Sequence, residues 1–187
     1  MSGKVYFREV QRFRQVWLWG LLIAIALLFA YGGVQQILFG KPWGNKPLPD
    51  AGLVAIFLLF VAILTWLYSV RLVTEVNEAG VVTHFKWLWR RRLIPFAEIR
   101  SHAAVTYRPL ADYGGWGIRY GFGGAGKAYN VSGNRGVQFE LADGGRLLVG
   151  SQRADEFDRA VDEAERAQSQ PRGAGGWRAG RGADGSA

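Results

Sequence analysis

Two stretches decide how this chain is organised: residues 16–40, VWLWGLLIAIALLFAYGGVQQILFG, and residues 51–70, AGLVAIFLLFVAILTWLYSV. Neither contains Lys, Arg, Asp, Glu or His. Crossing the hydrocarbon core of a bilayer takes roughly 20 apolar residues of helix, and each run reaches that length. Neither carries the polar stripe of a soluble amphipathic helix. Only KPWGNKPLPD, residues 41–50, separates them. The expected object is a transmembrane hairpin with 41–50 as its outer loop.

Charge outside the hairpin gives its expected orientation. The chain has 23 Lys and Arg against 15 Asp and Glu, a formal net charge of +8. Positive residues accumulate on cytoplasmic flanks. Lys4, Arg8, Arg12 and Arg14 precede the first run, and Arg71, Lys86, Arg90, Arg91 and Arg92 follow the second. Between the runs stand Lys41 and Lys46. Both termini are therefore expected to be cytoplasmic in a multi-pass membrane protein. Trp17, Trp19, Trp43, Trp66 and Tyr68 fall near the expected interfaces, where amphipathic rings are enriched. The first run is too long for the apolar region of a signal peptide and lacks a small-x-small exit. With no cysteine in the chain, disulfides and thiolate metal sites are excluded.

Residues 1–15 are expected to be a cytosolic or interfacial lead-in, because Tyr6, Val10, Phe13 and Trp17 recur at helical spacing. Residues 71–168 are enough for one compact domain. Within it, 71–77, 81–85, 91–96, 99–107, 116–120, 127–131, 136–141 and 146–150 read as short strands punctuated by turns. Pro109 and residues 112–115 read as a loop, and 142–145 as a hairpin turn. A helix is expected over 154–168, with Phe157, Ala160, Val161 and Ala164 on its apolar face. The tail 169–187 has no apolar periodicity and is expected to be disordered.

The runs GGWGIR (114–119), AYNVSGNRGVQFELADGG (128–145) and LLVGSQRADEF (147–157) resemble the bacterial pleckstrin-homology-like (PH-like) domains. Those commonly carry a similar Trp-Gly-Ile-Arg, a Gly-Val followed by an alternating strand, and a Gly-Ser/Thr-Gln segment entering the last helix; they often follow two transmembrane helices. The resemblance implies an α+β membrane protein, a two-helix hairpin followed by a small PH-like β-sandwich or barrel capped by a C-terminal helix. Ala154 stands where family members often have Pro, which is only a preference at a helix start. Fold alone does not give function.

Residues 121–128, GFGGAGKA, satisfy G-x-x-x-x-G-K. A phosphate-binding loop of that type needs Ser or Thr next and a helix N-terminus facing the phosphates. Here Ala128 follows the lysine and the chain continues as a strand, so a flexible inter-strand loop is expected. His84 and His102 lie on different strands without acidic residues at metal-site spacing. No Ser-His-Asp set or paired carboxylates stand out. Asn130-Val-Ser132 is a glycosylation sequon, inert on a cytosolic domain. No catalytic, cofactor or metal residues are assigned. The suggestive surface is Arg90, Arg91 and Arg92 flanked by Trp87 and Trp89, candidates for lipid contact at an anionic leaflet, where each cation contributes about 1 kcal/mol; alternatively, the arginines only enforce orientation and the tryptophans pack the sheet.

The expected function is thus a non-enzymatic, membrane-anchored binding or assembly module. It would contact membrane lipid, a protein partner or further copies of the chain. Its rivals are a nucleotide-using enzyme working through the glycine-rich loop, and a transporter or channel accessory using Gly32, Gly33, Gln35 and Gln36. Nucleic acid is not an expected partner, because the basic residues track the hairpin flanks and the tail instead of one stripe.

Overall fold

A computed structural model describes residues 4–88 and 90–169. The first element departs from expectation. Residues Val5–Arg12 form a strand, β1, not a helical lead-in. The helix α1 follows over Val16–Gly33 and ends in a π-turn, Val34–Leu38. Helix α2 spans Asp50–Ser69 and leads within two residues into strand β2, Arg71–Asn77. Strands β3 (Gly80–Lys86) and β4 (Arg92–Pro95) complete a four-stranded antiparallel sheet in the order β1-β2-β3-β4. Arg12 pairs with Arg71, so the helical hairpin occupies the place where a β1–β2 turn would stand.

Helices α1 and α2 are both long and apolar enough to cross a membrane. They pack on each other, with the Phe29 and Phe60 rings stacked at 6.3 Å, and bury little else. Leu27, Leu28, Leu58 and Leu59 are more than half exposed. Gln36 organises the connecting loop. Its Nε2 donates to the Leu48 carbonyl at 2.7 Å and to Asp50 Oδ1 at 2.6 Å, and its Oε1 accepts from the Trp43 amide. The Trp43 indole folds back onto Gly32, where a Cβ would collide with the ring. Gly32 therefore serves the loop, and Gln35 donates to the Tyr31 hydroxyl.

The second sheet has five strands: β5 (Ile99–Thr106), β6 (Gly117–Tyr120), β7 (Lys127–Asn130), β8 (Arg135–Leu141) and β9 (Arg146–Gly150). Their order is β5-β8-β9-β7-β6, with β7 and β9 parallel. Where a loop was expected after Pro109, a short helix α3 forms, Pro109–Tyr113, closed by Gly114 at φ 68°. Helix α4, Ala154–Ser169, ends the described chain. Its expected apolar face is the buried one: Phe157 and Val161 are 0% exposed, with Ala160 and Ala164 beside them. Phe157 stacks on Phe7 at 5.1 Å and meets Phe139 at 5.8 Å, joining both sheets and the helix in one core.

Strand β1 escapes local pattern reading because its inward residues are partly polar. Phe7, Glu9 and Gln11 are buried while Val10 is 49% exposed. Buried polar groups must be hydrogen-bonded, and these find partners on the other sheet. Glu9 accepts from the Ser151 hydroxyl at 2.6 Å and the Gln152 amide at 3.0 Å. The Gln11 amide donates to the Gly150 carbonyl at 2.7 Å, and Arg153 reaches back to the Arg8 carbonyl. This seam clamps the strand before the hairpin onto the second sheet.

Candidate functional site at the base of the hairpin

The register of the first sheet places Arg12, Arg71 and Lys86 side by side at the end from which the helices leave. Lys86 ends β3 and Arg92 begins β4, so Trp87, Leu88, Arg90 and Arg91 lie at that end too. Arg14, Arg90 and Arg91 add exposed charge there. The five residues singled out from the sequence separate. Trp87 is 70% exposed and held at φ 68°, an uncommon conformation for a side-chain-bearing residue. Arg90 and Arg91 are exposed. Arg92 turns inward: its Nη1 donates to the Tyr129 hydroxyl at 3.2 Å and its guanidinium lies 5.9 Å from that ring. Trp89 lies outside the described residues, as does the 170–187 tail.

Beside this basic end lies a cleft of about 790 Å³ between the helix base and the second sheet. One wall is helical and aromatic: Phe13, Trp17, Leu18 and Trp66. The opposite wall is Leu110 and residues 114–118, with Leu88 and Tyr129 also contributing. Arg119 and Lys127 bring charge, and among the described residues no Asp or Glu lines the cavity.

Each wall is fixed by specific bonds. The Gln15 amide donates to the Val131 carbonyl at 2.6 Å, tying the start of α1 to the second sheet. Trp19 Nε1 donates to the Phe13 carbonyl, and the Arg12 guanidinium lies 5.5 Å from the Tyr68 ring at the end of α2. Gln15 is 8% exposed, and its Oε1 has no partner among the described residues. Across the cleft, the Gly117 amide donates to Asn130 Oδ1 at 2.9 Å, and Asn130 Nδ2 donates to the Tyr107 hydroxyl at 3.0 Å. Burial pushes the Tyr107 hydroxyl up to about 12, so it stays neutral at physiological pH. Arg119 is steadied by donation from Nε to the Trp116 carbonyl. Chemically, the described residues of the cleft offer a largely apolar body and cations, complementary to an amphiphile with an anionic end.

A smaller cavity of about 430 Å³ adjoins it. Tyr120 and Lys127 line both. The second is bounded by Arg92, Arg146 and the glycine-rich loop expected between strands. That loop closes through the Gly121 amide donating to the Gly126 carbonyl at 2.6 Å, then runs into β7. No helix N-terminus follows Lys127, so the P-loop resemblance is in sequence only.

His102 has neighbours that its own segment does not reveal. His102 does have acidic neighbours, supplied by α4: its Nδ1 lies 2.7 Å from Asp158 Oδ1, and its Nε2 is 3.6 Å from Asp162. This contact joins β5 to α4. Among the described residues no group of three or more His, Asp or Glu side chains is arranged to hold a metal ion.

Sequence reasoning marked the Trp-Gly-Ile-Arg run only as a family resemblance, and it missed Phe13, Gln15, Leu110 and Lys127 as wall residues. The available signal was the density of aromatic and glycine residues in these flanks. What brings them together is long-range pairing.

Fold and site define a class: an α+β protein of two sheets, with two helices apolar enough to span a membrane inserted between its first two strands. The chain belongs to the DUF6141 family, a family of unknown function, whose model matches residues 2–166. The match takes in β1, the helical hairpin, both sheets and most of α4. A search of curated proteins returned no match.

Proposed function

We propose that the protein is a membrane-anchored, PH-like binding module that holds an anionic amphiphile of the lipid bilayer at the junction between anchor and domain. Two sheets closed by one C-terminal helix support the PH-like assignment; the β6–β7 hairpin docked in parallel on β9 is an addition to that layout. The exposure of the apolar helices supports insertion, since leucines more than half exposed along both helices are costly in water and favourable in hydrocarbon. The basic flanks favour the orientation with both termini in the cytoplasm of a bacterial inner membrane.

One observation carries the assignment: the cleft opens at the helix base, where Trp17 and Trp66 would lie at headgroup depth. Arg90 and Arg91 then face the leaflet and strengthen attraction to anionic lipid by about 1 kcal/mol each. No catalytic constellation accompanies the cleft among the described residues, which favours a binding role.

The test uses the full chain in nanodiscs of mixed zwitterionic and anionic lipid, extracted into detergent and weighed by native mass spectrometry. Retained anionic lipid is expected, and Ile118→Arg in the cleft wall is expected to abolish it. Equal retention of zwitterionic and anionic lipid, unaffected by Ile118→Arg, would sink the proposal.

A further inference from the structure

The glycine-rich loop has no role in the fold that requires three cations around it. We infer that the cavity it bounds is a phosphomonoester subsite, which receives the headgroup of the same amphiphile whose apolar part fills the larger cleft. This rests on the amphiphile-binding reading above and adds the chemical class of the head.

Continuity of the two cavities is the first argument. Tyr120 and Lys127 line both, so a molecule lying in the aromatic cleft reaches the loop cavity past Lys127 without leaving the protein surface. The Lys127 ammonium sits 5.2 Å from the Tyr120 ring centre, held at this passage by the aromatic face.

Charge is the second argument. Among the described residues, Arg92, Lys127 and Arg146 surround the cavity against one carboxylate, Asp143. Asp143 is engaged with its own turn, accepting from the Gly145 amide at 2.8 Å. Arg146 shares one nitrogen with Glu140 at 3.3 Å. Arg92 and Lys127 form no ion pair among the described residues. Arg92 commits one N–H to the Tyr129 hydroxyl, leaving further guanidinium donors. A phosphomonoester, with a charge of about −1.5 to −2 at neutral pH, uses three cations better than a diester carrying one.

The backbone is the third. A Cβ at Gly124 would meet nothing within 4 Å, so a ligand can approach the main chain there. Gly126 is at φ 79°, and a side chain on it would collide with the Arg146 carbonyl, so the loop lies tight against the strand that carries Arg146. Among the described residues that line it there is no helix N-terminus and no Ser or Thr beside Lys127, so the cavity has the parts for electrostatic capture of phosphate and not those of a P-loop.

The experiment titrates the full chain, in zwitterionic nanodiscs, with dioctanoyl phosphatidic acid, dioctanoyl phosphatidylglycerol, dioctanoylglycerol and glycerol 3-phosphate, reading tryptophan fluorescence and native mass. Phosphatidic acid is expected to bind tightest. Lys127→Gln with Arg146→Gln should weaken it about tenfold or more, to the level of dioctanoylglycerol. The charge-keeping pair Lys127→Arg with Arg146→Lys should retain binding, which separates loss of charge from loss of fold. Equal affinity for dioctanoylglycerol and phosphatidic acid overturns the phosphate subsite while leaving the amphiphile cleft standing. Binding of none of the dioctanoyl compounds overturns both. Glycerol 3-phosphate binding as tightly as phosphatidic acid assigns the cavity to a soluble phosphate and overturns the headgroup role.

Discussion

Helix α4 and the pair α1–α2 share a secondary structure and almost nothing else. On α4 the apolar residues fall on one stripe, and that stripe is closed into the core, with Phe157 and Val161 fully buried. On α1 and α2 apolar residues surround the helix, and only Ala26, Gly32, Leu53 and Leu67 are buried. The difference teaches that apolarity alone does not locate a core. A helix with one apolar stripe buries it against protein, whereas one that is apolar all round calls for apolar surroundings on every side, protein or lipid. The cleft forms where the exposed helix pair meets the packed sheets.

The sharpest way to break this contrast is to cut a cavity in each region. Phe157→Ala removes a ring that touches Phe7 and Phe139, and is expected to cost about 3–5 kcal/mol in chemical denaturation of the β domain. Leu27→Ala, at a position 64% exposed to its surroundings, should leave that transition unchanged. An equal loss from both would mean that the hairpin packs as protein core.

Polarity gives the converse test. Leu59→Arg near the middle of α2 should impose an insertion penalty of about 2.5–3.5 kcal/mol and lower the membrane-integrated fraction on alkaline extraction. Unaltered integration would rule out the hairpin's lipid contact there.

The seam joining the regions comes next. Glu9→Ala strands the Ser151 hydroxyl and the Gln152 amide, and should cost about 1–3 kcal/mol in the same denaturation assay. A loss of that size shows that the strand preceding the hairpin is integral to the domain; no loss would make it an appendage.

Two titrations are finer still. Tyr107 is pushed up from 10.0 to about 12, chiefly by burial. Between those values the unfolded chain has lost its proton and the folded one has kept it, so stability falls as pH rises from about 10 to about 12. Tyr107→Phe should remove that part of the slope. Asp155, at the start of α4, is held below its ordinary 3.8 mainly by the hydrogen bond from Arg135. Its contribution is present above 3.8 and lost as pH falls through the lowered value. Because the group is fully exposed, Asp155→Asn should change the acid limb of the stability profile only slightly.

Much of the domain was legible locally. The alternation of residues 71–77 and 136–141 and the stripe Phe157, Ala160, Val161, Ala164 mark faces that are buried in the fold. The glycine-rich loop was rightly separated from a P-loop, because strand residues follow it. What misled was β1, where Tyr6, Val10 and Phe13 mimic a helical face while Glu9 and Gln11 point inward. A strand with polar inward residues has no local signature, since its logic lies in acceptors and donors 139 to 143 residues away. The cleft was illegible for the same reason: Phe13, Leu88, Leu110 and Ile118 are remote in the chain and meet only when both sheets and the helix base are assembled.

By itself, then, the sequence determined two long apolar helices, a strand-rich domain after them, and the amphipathic helix that closes it, because each depends on a pattern within one segment. Only the tertiary structure decided that the domain begins before the hairpin, that β7 pairs in parallel with β9, and that a cationic-edged cleft opens where the hairpin and the sheets join. Those features arise from backbone pairing and side-chain contacts between distant segments, whose free energy no local pattern records.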